Sequence, residues 1–269
     1  MRQDLNASKT VYYNDFVMVR VDKTDRDLLN EKPAGRFDPQ YWEITFQSLL
    51  ETMSGKHSTK LFGDFIDFIT YGQVGNRIYS KKGIVRYIQT INITLTGIDY
   101  FIKEAFIDEG SHNDPERSRI KYKDVLLGNA GMGGLGKCII FLSCSDKVNI
   151  SQDIDILRVK NINPFYITVF LKSEFGNSQI WIRSKGVGAP KLPFDEIKAI
   201  RIPIVPDTVQ SHIESEYKKM SFYHDKAMEA KAKGDEAEYK ENIEIAELML
   251  KELIAKTEAV IRGEREDVV

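Results

Sequence analysis

The sequence is poor in the residues that mark disulfide frameworks and metal sites. Its 269 residues include two cysteines, Cys138 and Cys144, which lie six positions apart in apolar surroundings. The four histidines are scattered along the chain, at His57, His112, His212 and His224. Such spacing indicates neither a zinc site nor a disulfide scaffold. We therefore expect two buried reduced thiols, no metal and no cofactor.

Long apolar runs are also missing. No stretch approaches the roughly 18 to 20 apolar residues of a membrane span, and Met1–Asn6 lacks the apolar core of a signal peptide. We expect a soluble cytoplasmic protein. An apolar content of 42% is enough for one large or two moderate domains with a real core.

Net charge is small, at −2, but it is unevenly distributed. Residues 1–35 have six basic and six acidic side chains, and residues 36–205 have 22 basic against 18 acidic. Residues 206–269 have 10 basic against 16 acidic side chains. Any nucleic-acid surface should therefore belong to residues 36–205.

The pattern of apolar residues, glycines and prolines divides the chain into three regions. Residues 1–35 hold one predicted strand, Phe16–Val21, and form a lead-in whose attachment the sequence leaves open. A helix is predicted to start at Asp38-Pro39, a cap residue followed by a first-turn proline, and to turn one apolar face inward. That face consists of Trp42, Phe46, Leu49, Leu50 and Met53.

Residues 36–205 alternate short β-branched runs with glycines, which predicts an α+β domain with a mixed sheet and glycine-rich loops. One helix is predicted from Asn163-Pro164 to Gly176. The predicted strands are Ile84–Ile93, Asp124–Leu127, Cys138–Leu142, Ile154–Val159 and Gln179–Ile182.

Residues 206–269 are predicted to be a helical spacer or dimerisation segment. A heptad seam steps by four and three residues through Tyr239, Ile243, Ala246, Leu250, Leu253, Thr257 and Val260. Lys233-Gly234-Asp235, with Glu238 three residues after Asp235, is typical of a helix stop followed by a capped start. The segment is either a kinked long helix or two helices in a hairpin.

Two motifs suggest nucleotide binding and DNA methylation, but the neighbouring sequence does not fit either activity. Gly131–Lys137 fits the spacing of a phosphate-binding loop, but Cys138 replaces the required Ser or Thr and a strand-like run follows instead of a helix. Asn163–Tyr166 differs by one residue from the Asn-Pro-Pro-Tyr of amino-group DNA methyltransferases, yet no glycine-rich cofactor strand precedes it. We therefore expect no catalysis.

A series of short motifs resembles the target-recognition domain of type I restriction-modification specificity subunits, in order and spacing over about residues 36–215. The motifs are Arg36–Trp42, Gly83–Ile88 with Asn92, Asp124–Leu127, Gly133–Lys137, Asn163–Gly176, Gly186–Leu192, and Ile197 to Gln210 with Pro203 and Pro206. The resemblance implies a domain that reads a few base pairs and a helix that docks methyltransferase subunits.

The usual subunit of that family has two such units in tandem, whereas this sequence has one. The chain is either a half-length specificity protein or the recognition end of a fused methyltransferase. The resemblance implies duplex DNA, an adenine-methyltransferase subunit and a restriction subunit as partners. Because one unit with one tail restores the two-unit arrangement only by two-fold pairing, we expect a homodimer. Its interface would be Tyr239, Ile243, Ala246, Leu250, Leu253 and Val260.

Candidate DNA contacts are basic and amide side chains near the glycine loops, because backbone approaches phosphates closely where side chains are absent. Lys and Arg serve phosphates or guanine edges, and Asn and Gln can pair with adenine. The candidates are Gln73, Asn76, Arg77, Lys81, Lys82, Arg86, Gln89, Asn92, Asn129, Lys137, Arg183, Lys185 and Lys191. A nucleotide-dependent enzyme using Lys137 and a coiled-coil adaptor without DNA affinity are the alternatives.

Overall fold

The computed structural model describes residues 9–13, 17–21, 44–72, 80, 82–110, 118–144, 147–186 and 188–269. Its strands are β1 (Lys9–Tyr13), β2 (Val17–Val21), β3 (Thr59–Leu61), β4 (Ile66–Tyr71), β5 (Val85–Ile88), β6 (Phe106–Ile107), β7 (Val125–Gly128), β8 (Cys138–Ile140), β9 (Val148–Ile150), β10 (Ile154–Val159) and β11 (Arg201–Pro203). Its α-helices are α1 (Ile44–Lys56), α2 (Pro164–Lys172), α3 (Glu174–Arg183), α4 (Phe194–Lys198), α5 (Asp207–Lys233) and α6 (Glu236–Arg262). The predicted α+β class is confirmed.

The central sheet has four strands in the order β4-β10-β7-β8, all antiparallel to their neighbours. A second sheet has the order β6-β5-β9 and includes a parallel pair, β5 with β9. Two further pairs, β1-β2 and β3-β11, are separate. The mixture of parallel and antiparallel pairing matches the predicted mixed sheet.

Successive side chains along the central strands point to opposite faces of the sheet, and they belong to two different hydrophobic clusters. Leu157 of β10 and Leu127 of β7 face the cluster built on the helices. Ile156 and Leu126 face a second cluster shared with β5 and β9. The molecule is thus layered, with helices on one face of the central sheet and the small sheet on the other.

The helix predicted from Asn163 to Gly176 is two helices. The Asn163 side chain caps α2 by accepting from the Phe165 amide at 2.9 Å, as predicted. Ser173 then ends α2 and caps α3, so Gly176 lies inside α3. A Cβ at Gly176 would come within 2.2 Å of the Phe170 carbonyl, so this glycine permits a close approach between the helices rather than a stop.

The strand predicted at Gln179–Ile182 is wrong, because these residues belong to α3. The buried Gln179 donates to the carbonyl of Arg201 at 3.0 Å and accepts from the Arg201 amide at 2.8 Å. These bonds tie α3 to strand β11, so a long-range contact overrides the local strand propensity.

The C-terminal segment is a helical hairpin, one of the two predicted alternatives. Gly234 adopts a left-handed φ of 77° at the end of α5, and the Asp235 side chain accepts from the Glu238 amide at 3.0 Å to start α6. The predicted stop and capped start are therefore confirmed. The predicted start of the first helix, at Asp38-Pro39, lies outside the described residues, and α1 is described from Ile44.

The heptad seam is buried within the chain. Leu250, Leu253 and Val260 are 0 to 3% exposed and belong to the same cluster as Leu157 and the helix α2 residue Phe165. Ala246 and Thr257 are also buried, and Tyr239 and Ile243 are half-buried. The hairpin and the body cover these residues within one chain, so Leu250, Leu253 and Val260 of the predicted dimer interface are not exposed to a second copy.

The core also crosses the predicted boundary at residue 206. Tyr217 of α5 makes an edge-to-face contact with Phe165, with ring centroids 5.5 Å apart. The division into 1–35, 36–205 and 206–269 stays a prediction. In the part of the chain that is described, no helix combines the length and apolarity needed to cross a bilayer.

Candidate nucleic-acid interface

Loops of both sheets meet at one end. Strands β4 and β7 end there, and β8 and β10 begin there, because Asp155 pairs with both Tyr71 and Leu127. Strands β5 and β9 end there as well, and the Ser151 amide donates to the Ile88 carbonyl. We define the loop end as Gly72 and the segments 89–103, 129–137, 151–153, 184–186 and 188–192.

Two of these loops are joined by backbone hydrogen bonds. The Gly131 amide donates to the Pro190 carbonyl at 2.9 Å, and the Leu192 amide donates to the Asn129 carbonyl at 2.8 Å. Lys185 and Lys191 pair with each other through their backbones. Their side chains remain exposed, although the Lys185 ammonium lies 3.2 Å from Glu196. The two joined loops therefore expose Lys185 and Lys191, both predicted DNA contacts, to solvent.

The glycine loop 131–136 folds on itself. The amides of Gly134 and Leu135 donate to the Gly131 carbonyl, and the Gly136 amide donates to the Gly128 carbonyl. A Cβ at Gly128 would lie 2.0 Å from the Gly134 carbonyl oxygen, so the loop closes only over glycine. The amides of Gly134, Leu135 and Gly136 are therefore used within the protein and are not offered to a phosphate.

The phosphate-binding-loop geometry is absent from this segment. Lys137 is followed directly by strand β8 rather than by a helix N-terminus. Its ammonium donates to the Thr90 carbonyl at 3.0 Å. The resemblance of Gly131–Lys137 to a nucleotide-binding motif is therefore one of spacing alone.

The Asn163–Tyr166 segment has a structural role. Asn163 caps α2, and its amide nitrogen also donates to Glu214 at 2.7 Å. Tyr166 is fully buried and its hydroxyl donates to the Pro203 carbonyl at 2.5 Å. Neither side chain is available to hold an extruded base.

A buried polar pair lies beneath the loop end. The Asn129 amide donates to Asp155 Oδ1 at 2.5 Å and to the Gln152 carbonyl at 3.3 Å. Asp155 is 0% exposed, and burial raises the pKa of its carboxyl to about 7, against the opposing effects of the Asn129 hydrogen bond and the Lys191 charge. Asn129 is 3% exposed, so it stabilises this strand end and does not reach a base in this conformation.

Several predicted contacts have other partners. The buried Asn92 donates to the carbonyls of Asp99 and Ile102 and accepts from the Gln89 amide, and the Gln89 side chain completes this capping box. Arg183 is 3% exposed and lies 3.4 Å from the buried Glu196. Asn92 and Arg183 were predicted to contact DNA, but both are buried, so their hydrogen bonds shape the loops instead.

The remaining candidate DNA contacts differ in how exposed their side chains are. Lys82 is exposed, and Arg86 is half-exposed, pairs with Glu104 at 2.9 Å and lies over the Tyr100 ring at 4.9 Å. Four predicted contacts lie outside the described residues: Gln73, Asn76, Arg77 and Lys81. At the loop end itself, the exposed predicted lysines are thus Lys185 and Lys191.

Sequence reasoning missed three residues near this end. Asp155 carried a signal, because a carboxylate inside the run Ile154–Val159 is unusual for a buried strand. Trp181 is 36% exposed, and its indole nitrogen would be 3.9 Å from a Cβ at Gly136. Lys172 donates to the Leu95 carbonyl at 2.8 Å. The last two come close to the loop end only through the packing of α2 and α3, which the sequence did not disclose.

No chemistry-bearing cluster accompanies the loop end. Among the described residues, no group of three or more His, Cys, Asp or Glu side chains is placed to hold a metal ion. The exposed groups there include the ammonium groups of Lys185 and Lys191, which suit contacts with a phosphate backbone.

Comparisons by sequence find no match: no family model fits the chain, and no curated protein matches it. Solved structures do match, and they include the following three. The type I restriction-modification S subunit from M. genitalium is 9% identical, with a TM-score of 0.44, covering 65% of this chain and 41% of that chain. The HsdS subunit from Thermoanaerobacter tengcongensis is 12% identical, with a TM-score of 0.42, covering 86% of this chain and 54% of that chain.

The third is a chain from a type I R-M system whose complex assembly and conformational transition were studied, 14% identical with a TM-score of 0.44, covering 86% of this chain and 55% of that chain. This chain thus spans 41 to 55% of the length of the three solved chains. Such identities and TM-scores are too low to transfer a function. These three structures are S subunits or components of type I restriction-modification systems.

Proposed function

We propose that the chain is a non-catalytic DNA-recognition protein that acts as a specificity subunit, or half-subunit, of a restriction-modification methyltransferase complex. The loop end is the surface that contacts DNA. The observation that carries the proposal is that the segments of the loop end, with exposed Lys185 and Lys191, converge at one end of both sheets.

The chemistry of the loop end supports binding to a phosphate backbone. Lys191 has no carboxylate within salt-bridge distance among the described residues, and Lys185 shares Glu196 with Arg183. Trp181 and Met132 are exposed nearby, at 36% and 65%, and provide apolar surface for sugar and base contacts. A solvent-exposed mixture of ammonium and aromatic groups is typical of nucleic-acid surfaces.

The proposed partners are duplex DNA, an adenine-methyltransferase subunit and a restriction subunit. Recognition by a single unit within a fused methyltransferase is the second form of the same proposal. A homodimer also stays a proposal, and it would need a surface other than the buried seam of α6. Light scattering would report it as about twice the 30.8 kDa mass of one chain.

The test is duplex binding by the full chain, alone and with its methyltransferase partner, measured by fluorescence anisotropy over a range of salt concentrations. A specific duplex, selected from a random library, should bind more tightly than random DNA. Changing Lys185 and Lys191 together to Ala should weaken binding and reduce the slope of log affinity against log salt by about one to two units.

A matched variant, Lys240→Ala with Lys251→Ala, removes the same charge from exposed positions on α6. It should bind DNA nearly as the parent does. If the loop-end and hairpin variants lose affinity equally, net charge and not the loop end governs binding, and the surface assignment fails.

A further inference from the structure

A cavity of about 450 Å³ opens beside the loop end, between loop 131–137 and helices α2, α3 and α6. Its lining includes two lysines, Lys137 and Lys172, together with Asn177 and the apolar side chains of Leu95 and Ile254. None of the lining residues, all in described parts of the chain, carries a carboxyl group. The cavity is therefore a positively charged recess with an apolar wall.

Both ammonium groups are held in place by backbone carbonyls of one segment. Lys137 Nζ donates to the Thr90 carbonyl at 3.0 Å, and Lys172 Nζ donates to the Leu95 carbonyl at 2.8 Å. A lysine ammonium has three N–H donors. Each group therefore retains donor capacity beyond the one bond that positions it.

No negative charge of the described chain balances these two lysines. Neither forms a salt bridge with a described residue, whereas Lys123, Lys147 and Lys160 each pair with a carboxylate. Cys138 also lines the cavity, but burial raises the pKa of its thiol to about 12, so it is neutral near pH 7. Burial lowers the pKa of the Lys172 ammonium to about 8, and an anion in the cavity would favour its charged form.

The wall at Gly136 adds a neutral donor. Gly136 has a φ of 80°, and a Cβ there would lie 3.5 Å from the amide nitrogen of Asn177. Without that Cβ, the space beside Asn177 stays open. Two lysines and one asparagine line a recess whose lining residues carry no carboxylate, and ammonium and amide donors suit an anion with several oxygens.

We propose that this cavity binds a phosphate group through Lys137, Lys172 and Asn177. The phosphodiester backbone of bound DNA is the source that the position beside loop 131–137 favours, and this part rests on the proposed function. A free phosphate compound has the same chemistry and is the other source.

Two probes separate the sources, and both use the full chain. Pyrophosphate binding is measured by titration calorimetry, and duplex binding is measured by anisotropy against salt. In the double variant Lys137→Met with Lys172→Met, pyrophosphate binding should be lost. If DNA is the source, duplex affinity should fall about tenfold and the salt slope by about one unit.

Controls guard against a folding defect. Methionine preserves the long apolar stem of each lysine, and thermal unfolding checks that the variant stays folded. Lys172→Arg keeps the charge and should retain pyrophosphate binding. Lys240→Met removes a lysine from the exposed side of α6 and should behave as the parent with both probes.

Each result is decisive. Loss of pyrophosphate binding with unchanged duplex binding assigns the cavity to a free phosphate compound, and a fall in duplex affinity, with or without loss of pyrophosphate binding, assigns it to DNA. If the parent binds pyrophosphate but no duplex, the proposed function fails and the phosphate cavity stands. If the folded double variant matches the parent with both probes, or the parent binds neither, the phosphate cavity is refuted.

Discussion

The amide of Asn129 donates a 2.5 Å hydrogen bond to the buried carboxylate of Asp155, and this contact joins the end of β7 to the start of β10. Asp155 Oδ2 and Asn129 Oδ1 find no hydrogen-bond partner within the described chain. A carboxylate in this position is costly when ionised, because neither water nor a cation compensates it fully. The Asn129–Asp155 hydrogen bond holds the loop end in place, but the buried Asp155 carboxylate lowers the stability of the folded chain at high pH.

Asp155→Asn should therefore raise stability in a pH-dependent way. Burial raises the pKa of the Asp155 carboxyl from 3.8 to about 7. Because the pKa of Asp155 is higher in the folded than in the unfolded chain, the protonated carboxyl stabilises the folded state at low pH. This stabilisation is fully present below the unfolded pKa and is lost as pH rises through the folded pKa. The stability advantage of the variant over the parent should thus grow by about 1 to 3 kcal/mol between about pH 5 and about pH 8.

The measurement is denaturant unfolding of both proteins across that range. Asp153→Asn removes the same formal charge from a half-buried position two residues away and serves as the control. An advantage for Asp155→Asn that is constant with pH would contradict the raised pKa.

Glycine loop 131–136 provides a matched pair of substitutions. A Cβ at Gly128 would lie 2.0 Å from the Gly134 carbonyl oxygen, whereas a Cβ at Gly133 meets nothing within 4 Å. Gly128→Ala should cost about 2 to 4 kcal/mol, because the backbone of the loop must shift. Gly133→Ala should stay within about 0.5 kcal/mol of the parent. Thermal unfolding of both variants checks this, and equal losses would argue against the closed loop.

Burial of the heptad seam predicts different costs for neighbouring leucines of α6. Leu250 is fully buried and Leu248 is 65% exposed. Leu250→Ala should destabilise the chain by about 2 to 5 kcal/mol, and Leu248→Ala by less than about 0.5 kcal/mol. Chemical denaturation at several protein concentrations measures both. If the loss for Leu250→Ala appeared only as a lower dimer affinity, the seam would be an interface between copies after all.

Lys137 should not support nucleotide hydrolysis. Strand β8 follows it directly, and Cys138 stands where a magnesium-binding hydroxyl is needed. Magnesium should therefore not tighten ATP binding, and ATP turnover should not exceed that of a Lys137→Ala variant. Phosphate release and calorimetry with and without magnesium measure this. Magnesium-dependent turnover that the variant lacks would revive the enzyme hypothesis.

Local signals predicted much of the fold. The cap at Asn163, the stop at Gly234 and the capped start at Asp235 are sequence-local hydrogen bonds, and all three are present. The run Ile154–Val159 is a strand with the predicted bounds. The failures at Gly176 and Gln179–Ile182 come from long-range contacts, with the Phe170 carbonyl and with Arg201, that no local pattern encodes.

The site was harder to predict than the fold. Residue type marked Asn92, Asn129 and Arg183 as DNA contacts, but exposure depends on how loops pack, and these three are buried. Lys185 and Lys191 are exposed, as a contact must be. The cavity at Lys137 and Lys172 joins residues from the loop before β8 and from α2, whose proximity follows from tertiary packing alone.

The edge-to-face contact between Phe165 and Tyr217 couples the hairpin to the body of the chain. A partner that grips α5 and α6 therefore also fixes the direction in which the loop end points. If the hairpin and the body turn together, rotating the hairpin rotates the loop end, the proposed DNA-contacting surface, by the same angle. On the proposed function, two such chains bound to one partner would contact DNA at a spacing that the partner sets.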